Sequence, residues 1–129
     1  MEFKVLTPTT VHPPVGYSHA VRMGNLVFVA GQVAKNEKDE LVGKGDAGAQ
    51  TAQVYRNLKT VLEAAGSGMD RVGKINVYTT SLDYRRAINA VRDRVFGEVG
   101  HFPASTFAVI SSLAHPDYLV EIEAVATVK

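Results

Sequence analysis

The sequence predicts an α+β fold: a single mixed β-sheet with two helices on one face, in the order β-β-α-β-α-β-β. Three observations carry it. Two stretches, one from Ala47 to Ala65 and one opening at Ser81 or Asp83, repeat apolar residues at helical spacing. Short segments rich in Val, Ile, Thr and Tyr stand before, between and after them. No repeat, low-complexity tract or linker divides the 129 residues, which read as one domain spanning 1–129.

The first 18 residues hold Pro8, Pro13, Pro14 and Gly16, and read as extended coil with a short edge strand at Lys4 to Leu6. Ala20 to Met23 and Leu26 to Ala30 are strands joined by Gly24-Asn25, two residues that tolerate positive φ in a tight hairpin. Asn36 to Asp46, rich in Lys, Glu, Asp and Gly, is a polar surface loop. Asp46 caps the first helix, whose face of Val54, Leu58, Val61, Leu62 and Ala65 stops at Gly66. Val72 to Thr80 is a strand with Val72, Lys74, Asn76 and Tyr78 alternating against Gly73, Ile75, Val77 and Thr79. The second helix carries Ile88, Val91, Val95 and Phe96 and ends near Gly97. Thr106 to Ile110 and Leu119 to Val128 are the last strands.

That final strand has two unlike faces. Val120, Ile122, Ala124, Ala126 and Val128 form a seat for the helices; Leu119, Glu121, Glu123, Val125 and Thr127 form a mixed apolar and acidic face. Two helices cover one side of such a sheet. The other side is either solvated or covered by a partner subunit.

Composition narrows the function. A formal charge of +1 argues against a dedicated nucleic-acid surface, and the absence of cysteine excludes disulfides, thiol nucleophiles and thiolate metal sites. No apolar run approaches the roughly 18 residues needed to span a bilayer, so no membrane partner is expected and the cytoplasm is the default compartment. There is no dinucleotide fingerprint, P-loop or nucleophile elbow. His12, His19, His101 and His115 lack metal-ligand spacing and are expected at the surface or in hydrogen bonds. No metal or cofactor is expected.

Four segments in order, Gly16-Tyr17-Ser18, Asn25 to Gln32, Phe102-Pro103-Ala104-Ser105-Thr106 and Leu119 to Ala126, resemble the Rid family of reactive-intermediate deaminases, also called YjgF. The resemblance runs from about Gly16 to Ala126. It implies a chorismate-mutase-like subunit of a homotrimer, with small-molecule clefts between adjacent subunits. Glu121, which from its position alone reads first as an acid pairing with a Lys or Arg across an interface, falls at the first glutamate of the family's Glu-Ile-Glu-Ala segment, where the resemblance implies that it holds or activates the attacking water. Glu123, at the second, is read as structural. Tyr17 falls at the cleft tyrosine, against a plain reading as loop packing. Gly31 matches the glycine whose amide touches the substrate carboxylate, although it could be a turn residue. Ala30 stands where the family often has a cleft serine. Asn89 matches an asparagine near the cleft, against a reading as a helix-surface amide.

The departure is Ser105. Better-characterised members read Pro-Ala-Arg where this chain reads Pro103-Ala104-Ser105, and the guanidinium grips the carboxylate of 2-imino acids through paired hydrogen bonds. Arg22, Arg85, Arg86 and His19 are the candidate replacement cations. The backbone carbonyl at Phe107 helps hold the water in the family, a role indifferent to side chain. The resemblance thus implies a cofactor-independent hydrolytic deaminase of an enamine or imine other than a simple 2-imino acid. The alternative is a homotrimeric metabolite binder without turnover. An endoribonuclease reading meets no basic stripe and no catalytic histidine pair.

Overall fold

The computed structural model describes residues 1–129 as one six-stranded sheet with two helices. The elements are β1 (Phe3–Leu6), β2 (Ala20–Met23), β3 (Leu26–Gln32), α1 (Ala47–Ala64), β4 (Val72–Thr79), α2 (Arg85–Val99), β5 (Ala104–Val109) and β6 (Val120–Thr127), with 3₁₀ turns at Met69–Arg71 and Leu82–Tyr84. Across the sheet the order is β1-β2-β3-β6-β4-β5. Only β4 and β5 run parallel, joined by α2; every other pair is antiparallel. The sheet is therefore mixed, as expected.

Local chemistry sets the boundaries. Asp46 Oδ1 accepts the Ala49 N–H at 3.0 Å and starts α1. The hairpin between β2 and β3 turns on Gly24 alone (φ 61°), glycine at the first of two turn positions, while Asn25 stays at negative φ. The second helix runs past Gly97. It ends where Gly100 takes φ 100° and returns its N–H to the Phe96 carbonyl, a left-handed cap that Gly97 does not supply.

The alternation expected for β4 holds from Lys74 onward but breaks at Gly73. A register shift against β6 lets Val72 and Ile75 both face the helices. On β6, Val120, Ile122, Ala124 and Ala126 are buried under the helices as anticipated; Leu119, just outside the strand, is buried as well. These side chains join Val54, Leu58, Val61 and Leu62 of α1 and Ile88, Val91 and Phe96 of α2 in one core. Each such fully buried aliphatic side chain contributes about 1.5–3 kcal/mol through its removal from water.

The opposite face of the sheet is uncovered in the single chain. Strand register lines up Val5, Val21, Phe28 and Val125 in one apolar row, with Phe3, Met23 and Leu26 in the next. Phe3 is 64% and Phe28 40% exposed. Neither helix is long and apolar enough to cross a membrane.

Candidate active site

A cavity of about 490 Å³ lies where the 12–17 loop, the end of β3 and the start of β6 meet; Tyr17, Ala30, Gly31 and Glu121 all line it. Its geometry starts with a bulge. Val29 pairs with Ala124 and Gln32 with Ile122, so β3 runs three residues forward while β6 runs two. Val29 and Gln32 both point into the helix side, and the extra length between them presents Ala30 and Gly31 to the other face. There the Glu121 side chain lies flat on Gly31: a Cβ at that glycine would come within 2.7 Å of Glu121 Cδ and Oε1. Any other residue would push the carboxylate away.

Glu121 is half-buried, and no cation or hydrogen-bond donor of the chain holds it. Burial, with a smaller contribution from the like charge of Glu123, raises its pKa above the usual carboxylate value. Glu123 is occupied differently: its Oε1 accepts from Asn76 Nδ2 at 3.0 Å and Tyr78 Oη at 2.9 Å. Two carboxylates two residues apart on one face are thus unlike, one tied into the sheet and one unengaged.

Tyr17 is set by a buried polar chain that sequence reading did not foresee. Gln32 donates to the Ala30 carbonyl at 3.0 Å and to His19 Nδ1 at 3.2 Å; His19 Nε2 donates to the His12 carbonyl at 2.7 Å. The rings of His12 and Tyr17 meet that of His19 edge-on, and His12 Nε2 lies 3.3 Å from Tyr17 Oη. His12 and His19 are 3% and 0% exposed, so of their two expected settings they take the hydrogen-bonded one. Burial, the neighbouring His19 and Lys35 together lower the His12 pKa. Burial raises that of Tyr17, so its phenol stays protonated.

The remaining candidates lie elsewhere in the single chain. Ser105 lines a separate cavity of about 330 Å³ with Phe102, Pro103, Arg92 and Asp93. Asn89 sits on the outer side of α2 beside Arg85 and Arg86. Phe107 carries the Arg85 guanidinium 5.5 Å above its ring. Register places Ser105 and Phe107 level with Ile75 and Val77, hence on the helix side, whereas Glu121 is level with Tyr78 on the open side. Two strand spacings, about 10 Å, also separate β5 from β6. One backbone feature of β5 faces outward. Ile110 donates to the Thr79 carbonyl, and residues bonded to a parallel neighbour alternate, so Ser105 and Phe107 turn their N–H and C=O groups to the free edge of the sheet.

Of the candidate cations, Arg22 is turned to the Gly24 carbonyl and His19 is enclosed. Arg85 and Arg86 stand on the α2 side. Sequence reading missed Lys35, Asp39, His12 and Tyr118, which line the Glu121 cavity. The only signal for Lys35 was its place three residues after the strand that ends in Gly31-Gln32. No three His, Asp or Glu side chains converge as metal ligands.

Comparison with known proteins adds the following. Residues 7–128 match the family model described as Endoribonuclease L-PSP. A RutC family protein of Pyrococcus horikoshii is 40% identical over 114 residues, 88% of each chain. A 2-iminobutanoate/2-iminopropanoate deaminase of Dermatophagoides farinae is 30% identical over 125 residues, 97% of this chain and 95% of that one. The crystal structure of the YjgF gene product of E. coli superposes with a TM-score of 0.90 at 29% identity, covering 98% of this chain and 99% of that one.

Proposed function

Because the chain belongs to the Endoribonuclease L-PSP family, the YjgF or Rid family, we propose that it is a cofactor-independent hydrolytic deaminase of a reactive enamine or imine, working in clefts between the subunits of a homotrimer. The observation that carries this reading is Glu121: an unpaired carboxylate, partly desolvated, laid over the backbone of Gly31 in a cavity shared with Tyr17. The 30% identity to a protein named as an imino-acid deaminase supports the reaction class. The two apolar rows on the uncovered sheet face support assembly. So does the separation, within one chain, of Glu121 from Ser105, Phe107 and Asn89.

The chemistry requires little. Protonation of the enamine carbon gives an iminium; water adds to the iminium carbon and gives up a proton to Glu121. Glu121 returns that proton to the nitrogen, the C–N bond breaks as the hydroxyl gives up its proton to solvent (balancing the one taken from solvent at carbon), and a carbonyl compound and ammonia leave. A carboxylate with a raised pKa is a better proton acceptor than a free glutamate, which suits it to taking and returning a proton. Tyr17, protonated and oriented by His12, offers a hydroxyl to the substrate. A second copy would bring the outward carbonyl at Phe107 toward the water. With Ser105 in place of a guanidinium and Ala30 in place of a hydroxyl, a simple 2-imino acid is not the proposed substrate.

The test is ammonia release from enamines generated in situ from a panel of amines, timed with and without the protein. Glu121→Gln is expected to slow the accelerated rate by roughly 10²–10⁴-fold. An unchanged rate in that variant would remove Glu121 from the mechanism. The loss of both the clamp and the hydroxyl also favours a second reading, a trimeric metabolite binder without turnover; it predicts saturable binding with no acceleration of any enamine. RNA cleavage is not proposed, since His12 and His19 are enclosed and the chain is near neutral.

A further inference from the structure

Ser105 leaves the β5 side without a cation at the place where one was expected, yet a cation stands in the Glu121 cavity itself. Lys35 follows β3 and its side chain is 26% exposed, much of its length buried against the cavity wall. The chain fixes it from three directions. Asn57 of α1, 3% exposed, donates to the carbonyls of Val33 at 3.0 Å and Lys35 at 2.8 Å, which pins the backbone. Lys35 then bridges to Leu41 around a tight loop. In that loop Asn36 Oδ1 accepts the N–H groups of Lys38 and Glu40, and Asp39 takes φ 63°, a non-glycine residue held in the left-handed region. The loop thereby returns the Asp39 carboxylate to Lys35 Nζ at 3.0 Å. On the third side Nζ lies 6.0 Å from the centre of the Tyr118 ring. Tyr118 is itself anchored through Gln50, fully buried, whose Oε1 accepts the Leu119 N–H and whose Nε2 donates to the Asp117 carbonyl, both at 2.9 Å.

An ammonium carries three N–H donors. Asp39 takes one and the Tyr118 side occupies another direction, which leaves a donor for a ligand in the same cavity as Tyr17, Gly31 and Glu121. We propose that Lys35 is the anion-binding residue of this cleft, receiving the carboxylate of its ligand at the loop after β3 rather than at the β5 edge. Asp39 and Tyr118 are positioning residues: they hold the ammonium in one place, so little rotamer freedom remains to be lost on binding. The assignment of that ligand as an enamine or imine rests on the deaminase reading; the assignment of a carboxylate to Lys35 does not. It narrows the substrate class to reactive species bearing a carboxylate whose placement relative to the C–N carbon is set by Lys35 and Glu121 on one wall.

Binding of stable keto acids separates the two claims. Titration calorimetry on the full-length protein would use 2-oxobutanoate and 4-oxopentanoate, each against its uncharged amide. The wild-type protein is expected to prefer at least one acid over its amide by roughly tenfold to a hundredfold, the range for a hydrogen bond to a charged group. Lys35→Met should erase that preference, Lys35→Arg should keep most of it, and Asp39→Asn, which frees the ammonium, should reduce it. Lys35→Gln serves as a second neutral variant if Lys35→Met does not fold. A preference that survives both neutral variants, or no preference in the wild type, overturns the proposal. Ammonia release is read separately: Lys35-dependent acid binding without any turnover would sink the deaminase reading and leave this one standing. Turnover with no role for Lys35 would do the reverse.

Discussion

The two sides from which a cleft would be built differ in how much of each a single chain completes. Around Glu121, every neighbouring segment is tied down from within: Gln32 and His19 brace the 12–17 loop, Asn57 holds the exit of β3, and Gln50 holds the 117–119 turn. At β5, the strand forms the sheet's free edge, Ser105 is exposed, and two cations of α2 are engaged elsewhere, Arg92 with Asp93 and Arg85 with the Phe107 ring. The contrast separates two kinds of functional surface. The Glu121 side is preorganised by buried amides and needs no partner for its shape. The β5 side presents backbone and ring at an open sheet edge and has no comparable internal bracing.

The contrast can be broken at its tightest point first. Gly31→Ala puts a methyl group where the Glu121 carboxylate rests, and the flexible side chain is the element that yields. Displacement of a reacting group by about 1 Å can cost on the order of a hundredfold in rate. We expect turnover to fall by up to that factor while the unfolding free energy from urea titration stays within about 1 kcal/mol of wild type, the typical size of a single-substitution effect. A collapse in stability instead would mean that Glu121 is held rigidly rather than resting there.

Ser105→Arg acts on the less defined side and should sharpen the contrast. A guanidinium restored there is expected to confer or raise turnover of 2-imino acids by roughly tenfold or more. Ammonia release from in situ 2-iminobutanoate reads the gain, and none at all would show that the missing cation is not what excludes such substrates.

The smallest effect concerns pH. The folded state lowers the His12 pKa below the ordinary value near 6.5, so the unfolded chain binds that proton more readily as acid is added. Stability contributed by neutral His12 is therefore present above pH 6.5 and is lost as pH falls beneath it, with a slope of at most about 1.4 kcal/mol per unit. Urea titrations between pH 7 and 5 should reveal the slope in the wild type and its flattening in His12→Gln. Parallel curves would place the titrating group elsewhere.

Much of the architecture was legible because burial leaves a periodic trace. The stripe of Val54, Leu58, Val61 and Leu62 and the alternation from Val120 to Ala126 each point to one face, and those faces meet. The polar residues that shape the Glu121 side left no such trace. Gln50 and Asn57 are enclosed because each satisfies backbone groups of a segment far away in the chain, Gln50 reaching across to Leu119, and Gln32 because it braces the His19 ring and the Ala30 carbonyl. Likewise Gly31 and Glu121 come together only because β6 inserts next to β3 in the sheet. The reading of Tyr17, Gly31 and Glu121 as neighbours came from resemblance. Lys35, in a segment that looks like an ordinary charged turn, had neither periodicity nor resemblance to mark it.

The bulge in β3 has a consequence for how relatives of this chain are to be compared. What it supplies is an extra peptide unit, an increment of length rather than a side chain. A homologue could change Ala30 in identity, keeping Gly31, and still keep the carboxylate's resting place, while losing a single residue between Val29 and Gln32 would abolish it without altering any chemically reactive group. Spacing along that strand, counted residue by residue, is the better guide to which relatives share this pocket.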